Sequence, residues 1–214
     1  VFPNTSAWEE YQKIKKAARG NKSPSGQWTT LGPSTSPGGY AGLGRLNCIG
    51  FHPTNNDTIY VGAASGGVWK TTDGGSTWVP QGDDLAAIGI SDIIVLSTSG
   101  DDEVYIATGD RDASDTYSVG VFKSTDGGST WASTGLAFTA GQKRLINRLL
   151  IDPTNSSILY ASTSVGVYKS TDSGTNWSII TSNVYIDMEF QPGTSSTIYG
   201  STKQGDIYLS NDNG

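Results

Sequence analysis

The chain has 214 residues, 28 of them glycine, with 6 Trp, 10 Tyr and only 16% charged side chains. A formal net charge of −6 denies it the basic face that nucleic-acid binding demands and gives no attraction to anionic lipid. A single cysteine, Cys48, excludes an intrachain disulfide, and no apolar run approaches the ~20 residues of a membrane-spanning helix.

In chain order, residues 6–19, SAWEEYQKIKKAAR, predict a helix. Ser6 stands as N-cap, Glu9 completes a capping box, and Trp8, Tyr11, Ile14 and Ala18 share one face. A Ser/Pro/Gly linker comes next, so 1–26 separates from a second region, 27–214. The chain opens on Val1 without a leader, and a removed leader or an excised piece is the expectation. Then comes GQWTTLGP (26–33), in which Trp28 predicts a strand of the kind that succeeds each later tryptophan turn.

Those later turns repeat. KTTDGGSTW (70–78), KSTDGGSTW (123–131) and KSTDSGTNW (169–177) are succeeded by LSNDNG from 209, and their spacing of roughly 40–50 residues marks a structural repeat. Each unit reads as four short strands. An apolar strand such as NCIGF precedes a β-rich one (TIYVG, EVYIA, ILYAS, TIYGS), then a third (GVWKT, GVFKS, GVYKS, DIYLS). The acidic turn leads to the fourth, which opens on the tryptophan. Four strands per unit at this period predict an all-β fold, a β-propeller of which this chain holds about four blades, the last one incomplete; a fragment of a larger propeller is the expectation, favoured over a closed four-bladed ring completed by the Trp28 strand. Asp73, Asp126, Asp172 and Asp212 are then turn residues that accept backbone N–H groups, and Trp78, Trp131 and Trp177 cover the turns. Because they recur in every unit they are scaffold. By the same comparison Trp69 aligns with Phe122, Tyr168 and Tyr208 and is packing, and His52 aligns with the turn residues Asp152 and Gln191.

The motif STDGGSTW resembles the Asp-box, or BNR, repeat, with full matches at Asp73 and Asp126, Asn176 in place of Thr at the third copy and a truncated fourth. That family holds sialidases, xyloglucanases, sortilin-type receptors and photosystem assembly factors, and the resemblance implies a propeller. YVGAASGGVWK (60–70) is similar to the first blade of family-74 xyloglucanases. There an Asp shortly before the Gly-Gly pair is a catalytic carboxylate; here Ala64 takes its place, ahead of Ser65, Gly66 and Gly67. The overall pattern is also similar to large propeller proteins exported by type IX secretion. This implies a secreted or cell-surface protein, with secretion-machinery components among its partners.

Residues peculiar to one blade are the candidates for function. The insertion GDRDASDTYS (109–118) carries Asp110, Asp112 and Asp115, alternating carboxylates suited to Ca²⁺ as the one candidate cofactor, the alternative being a solvated loop in which Arg111 pairs locally. Arg45, Arg144 and Arg148 sit near the starts of first strands, where a guanidinium can hold a carboxylate in a central channel. A sialidase site would need more than these arginines, and its N-terminal arginine motif is not recognisable. The favoured expectation is a non-catalytic binding module for a glycan, peptide or protein. The alternative is a glycoside hydrolase whose remaining catalytic residues lie in blades beyond residue 214.

Overall fold

The computed structural model describes residues 31, 45–87, 89–97, 101–112 and 116–214. The expected helix over 6–19, the linker to residue 26, Trp28 and Asp115 lie outside them. Fifteen strands run in order along the described chain. Blade 1 holds β1 (Leu46–Phe51), β2 (Ile59–Ala63), β3 (Val68–Thr71) and β4 (Val79–Pro80). Blade 2 holds β5 (Ile90–Leu96), β6 (Glu103–Thr108), β7 (Gly120–Ser124) and β8 (Ala132–Ala137). Blade 3 holds β9 (Ile146–Asp152), β10 (Asn155–Thr163), β11 (Gly166–Ser170) and β12 (Ser178–Thr181), and the last sheet holds β13 (Asp187–Phe190), β14 (Ile198–Ser201) and β15 (Ile207–Ser210).

Every sheet is an antiparallel meander, four-stranded in blades 1 to 3 and three-stranded in the last. The first strands lie side by side, β1 against β5, β5 against β9 and β9 against β13. The fold is a β-propeller. Its core is three apolar layers, one at each blade junction. Tyr60, Val68, Ile90 and Ile106 fill the first, Tyr105, Val121, Ile146 and Leu159 the second, and Tyr160, Val167, Met188 and Ile198 the third. The first junction is so close that a Cβ at Gly62 would stand 2.5 Å from Ile90 Cγ2, which leaves room only for glycine. Ala140–Gln142 form a single 3-10 turn between β8 and β9, with Thr139 and Gln142 in a capping box.

The acidic turns are built alike. Asp126 Oδ1 accepts the Ser124 hydroxyl at 2.7 Å and the Thr130 N–H at 2.8 Å, and Oδ2 accepts the Thr130 hydroxyl at 2.6 Å. Asp73 does the same with Thr71 and Thr77, and Asp172 with Ser170 and Asn176, whose amide replaces the missing hydroxyl. Asp212 accepts the Ser210 hydroxyl. The chain turns through two residues of positive φ, Gly127 (67°) and Gly128 (95°) in the second copy. Ser173 (58°) and Asn213 (67°) take the first of these places in the third and fourth, a conformation that short polar side chains tolerate. The tryptophans close the turns from outside: the fourth strands start one residue after Trp78, Trp131 and Trp177, not on them.

Neighbouring blades are joined by a latch whose tyrosines the sequence displays only as strand residues. Tyr60 of β2 donates its hydroxyl to the Gly127 carbonyl in the next blade's turn (2.9 Å), Tyr105 of β6 to Ser173 (3.2 Å), and Tyr160 of β10 to Asn213 (2.9 Å). A lysine from each third strand, Lys70, Lys123 and Lys169, stacks over the corresponding ring at 5.0–5.2 Å. Burial raises all three phenol pKa values, Tyr160 to about 12, so the hydroxyls stay protonated as donors.

Candidate functional site

The first strands share an irregularity at their starts. The pairing register slips between Leu46 and Cys48 in β1, between Ile90 and Asp92 in β5, and between Ile146 and Arg148 in β9. A bulge at the same point of three blades re-aims the side chains beyond it. The skipped residues are Asn47, Ser91 and Asn147. Asn47 Nδ2 donates to the Ile90 carbonyl at 3.1 Å, and Asn147 Nδ2 to the Tyr185 carbonyl at 2.8 Å, each tying its strand to the next blade. The residues after the bulge, Cys48, Asp92 and Arg148, together with Asp187 of β13, oppose Gly62, Ala107, Ser162 and Ser201 and form one layer around the inner strands. Burial pushes the Cys48 thiol pKa up, which keeps it protonated at neutral pH.

Arg148 is the electrostatic centre of that layer. Its guanidinium lies 3.6 Å from Asp92, 3.4 Å from Asp187 and in contact with Glu189. Burial alone would lower its pKa, but the three carboxylates raise it. Asp92 is only 3% exposed. Its Oδ2 accepts the Leu149 N–H at 2.7 Å and its Oδ1 the Ile93 N–H at 3.0 Å. Desolvation still outweighs these partners and raises its pKa.

The insertion of blade 2 reaches over this layer. Asp110, fully buried, accepts Arg45 at 2.5 Å and Asn47 Nδ2 at 3.3 Å, and Asp112 accepts the other amino group of Arg45 at 3.0 Å. Arg111 keeps a loose local pair with Asp112 but makes its hydrogen bonds farther away. It donates Nη1 to the Asn147 carbonyl at 2.8 Å and Nη2 to the Asn47 carbonyl at 3.2 Å, and Asp112 stands 3.9 Å from its Nε. One side chain of blade 2 thus holds the bulges of blades 1 and 3. Asn47 Oδ1 is buried without a hydrogen-bond partner among the described residues, while its Nδ2 is fixed on two acceptors.

Arg45, Asp110, Arg111, Asp112 and Arg148 are therefore brought together at one end of the inner strands. Asp115 lies outside the described residues, and Arg144 makes no ion pair within them. Asp110 and Asp112, two of the three carboxylates of the calcium expectation, face Arg45, and the third, Asp115, lies outside the described residues. An open cleft of about 490 Å³ lies beside Arg111, between Asp112, Arg148, Asp187, Glu189 and Lys203. It offers alternating cationic and anionic groups with three exposed carboxylates, Asp112, Asp187 and Glu189, a surface suited to the hydroxyls of a polar ligand. Ala64, where the xyloglucanase resemblance expects a carboxylate, is buried beside the insertion, its carbonyl accepting the Thr116 hydroxyl. His52 is a turn residue like Asp152. Its Nδ1 accepts the N–H groups of Thr54 and Asn55, and Nε2 lies 2.9 Å from Asp102.

No protein-family model matches the chain. It is 33% identical to the xyloglucanase Xgh74A of Acetivibrio thermocellus, over 57% of this chain and 16% of that protein. It is 30% identical to a xyloglucanase of Hypocrea jecorina, over 80% of this chain and 22% of that protein. The chain thus spans less than a quarter of the length of these relatives. Among solved structures, an ancestral GH74 enzyme superposes with a TM-score of 0.66 at 18% identity, over 87% of this chain and 24% of its own. That likeness concerns the fold, and it places the four sheets among propeller blades.

Proposed function

We propose that the chain belongs to a glycoside-hydrolase-like propeller that takes a xyloglucan-class polysaccharide. The observation that carries this reading is the sequence relation to xyloglucanases, which extends over 80% of the chain and so covers the blades and not only the turn motif. The mouth of the inner strands, with Arg111, Asp112, Asp187, Glu189 and Lys203 around an open cleft, is the place for the glycan. Hydrolysis asks for two carboxylates placed across the scissile bond. Asp112, Asp187 and Glu189 are the exposed candidates at the cleft, the first paired with Arg45 and the other two with Arg148, whereas Asp92 and Asp110 are buried.

A second reading rests on Ala64. An alanine where the resemblance expects a carboxylate favours glycan binding without cleavage. The Asp-box resemblance of the turns and a secreted or surface location accord with both. The test is direct. The purified chain is run in affinity gels containing tamarind-type xyloglucan, and the same mixture is assayed for new reducing ends. Retardation with reducing-end release supports the hydrolase, retardation alone supports the binding module, and neither overturns the polysaccharide reading. Glu189→Gln should abolish release if that carboxylate acts.

A further inference from the structure

The outer strands of the three four-stranded blades differ in length. β8 has six residues and β12 four, but β4 stops after two, Val79 and Pro80. The Gln81 N–H still reaches the Val68 carbonyl, and the chain then leaves the sheet in a turn closed by the Leu85 N–H on the Gly82 carbonyl at 3.0 Å. Blade 1 therefore lays a shorter outer strand beside its neighbour than blade 2 does. At the second junction Phe138, directly after β8, packs edge-on against Tyr168 with 6.3 Å between ring centroids and lies with Trp177 on the core. At the first junction the smaller Leu85 lies on the core beside Phe122 and Trp131.

What remains between blades 1 and 2 is an open groove of about 350 Å³ on the side of the outer strands, lined by Leu85, Phe122 and Trp131 together with Asp83, Asp84 and Thr130. It shares no residue with the cleft at the mouth. Its aromatic part is fixed, because the Trp131 indole N–H is held by the Gln81 carbonyl. Its polar part is uncommitted. Thr130 donates its hydroxyl proton to Asp126 Oδ2 at 2.6 Å and keeps its oxygen lone pairs. Asp83 and Asp84 are exposed and make no ion pair or side-chain hydrogen bond among the described residues. Asp126, by contrast, is satisfied by its own turn, and Asp110 and Asp112 face Arg45.

We propose that this groove is a second glycan site, which takes a pyranose of the polysaccharide class assigned to the mouth; the proposal rests on that assignment. A pyranose has an apolar C–H face and a rim of hydroxyls. The face packs on a ring already locked in one orientation, so little entropy is lost in ordering the protein. The hydroxyls donate to acceptors that have no protein donor, the carboxylates of Asp83 and Asp84 and the Thr130 oxygen. A small number of polar groups around an apolar wall is the usual make-up of a small-ligand site. The groove and the mouth lie on one rigid body, so a polymer that reaches both binds the second place as an intramolecular event and gains avidity that a short oligosaccharide does not.

Proton–nitrogen NMR of the 214-residue chain, titrated with a xyloglucan heptasaccharide, tests this. The Trp131 indole N–H, assigned by its loss in Trp131→Phe, should shift and saturate. In an Asp83→Ala, Asp84→Ala double variant that signal should stay still while the Arg111 Nε–H at the mouth continues to move. The same variant should bind the polymer in affinity gels roughly tenfold more weakly than the wild type. A still Trp131 signal beside a moving Arg111 signal overturns the second site and leaves the polysaccharide assignment standing. Stillness at both places overturns the assignment and the groove with it. A Trp131 shift that survives the double substitution overturns the role of the two carboxylates. A shift with tetralysine in place of the sugar gives the groove to a basic partner and likewise overturns the proposal.

Discussion

The outer turns and the inner mouth of this propeller solve opposite problems with similar residues. At the turns, Asp73, Asp126 and Asp172 are solvent-facing carboxylates whose partners lie within four residues, so each blade makes its own turn and the pattern repeats. At the mouth, Asp92 and Asp110 are buried carboxylates whose partners come from other blades: Leu149 and Arg148 for the first, Arg45 and Asn47 for the second. Local satisfaction can be copied from blade to blade. Long-range satisfaction is made once, and it marks the part of the molecule where individual side chains are free to specialise.

That contrast orders the effects of substitution. The largest belongs to Arg45→Ala or Asp92→Ala. Without Arg45 the buried Asp110 carboxylate is left uncompensated, at a cost of about 3–5 kcal/mol; without Asp92 the Leu149 and Ile93 N–H groups lose their acceptor, about 1–3 kcal/mol each, while Arg148 keeps Asp187 and Glu189. Arg45 is itself 42% exposed, so its value should fall toward the lower end. Urea unfolding reads both. If Asp92→Ala proves no worse than removing a turn aspartate, the distinction between the two regions is broken.

Arg111→Ala comes next. It frees the carbonyls of Asn47 and Asn147, and about 1–3 kcal/mol is the expected loss for a charged group's hydrogen bonds. Its sharper readout is the glycan. Arg111 lines the cleft, so retardation by xyloglucan should weaken by more than unfolding stability accounts for. Tyr105→Phe is smaller, about 1 kcal/mol for one lost hydrogen bond with the ring still packed. The same change at Tyr60 should cost the same, since the two latches share one geometry. A clear inequality would show that the junctions are not equivalent.

The sequence displays the local half of this design and hides the other. The turns are legible because Asp126 and its partners Ser124 and Thr130 fall within seven consecutive residues, and the pattern recurs. The blade count and strand order come from that period. The tyrosine latch is in view as a tyrosine at the same place of four strands. Its acceptors, however, are backbone carbonyls of Gly127, Ser173 and Asn213, which carry no mark of residue type. The role of Arg111 is hidden for the same reason. Proximity in sequence points to its acidic neighbours, whereas the fold brings the carbonyls of Asn47 and Asn147 to it from either side, 64 and 36 residues away. The bulge asparagines are visible as RLN and INR near the first strands, but only pairing register shows that one residue there is skipped.

Acid titration gives the smallest effect and separates the two kinds of carboxylate most cleanly. Hydrogen bonds from Thr77 hold Asp73, and those from Thr130 hold Asp126, at about 2, below the ordinary 3.8. A carboxyl whose pKa is lower in the folded chain contributes stability that is fully present above its unfolded value and lost as the pH falls through its folded one. Both turns should therefore shed stability between about pH 4 and pH 2. Burial moves Asp92 the other way, so protonation removes a cost instead of a contribution, and its share of stability does not fall over the same interval. The urea midpoint, tracked against pH, should decline on acidification in the wild-type chain and decline less in the Asp73→Asn, Asp126→Asn double variant. An unchanged slope in that variant would show that the acid sensitivity comes from the mouth, and the division between locally and mutually satisfied carboxylates would have to be redrawn.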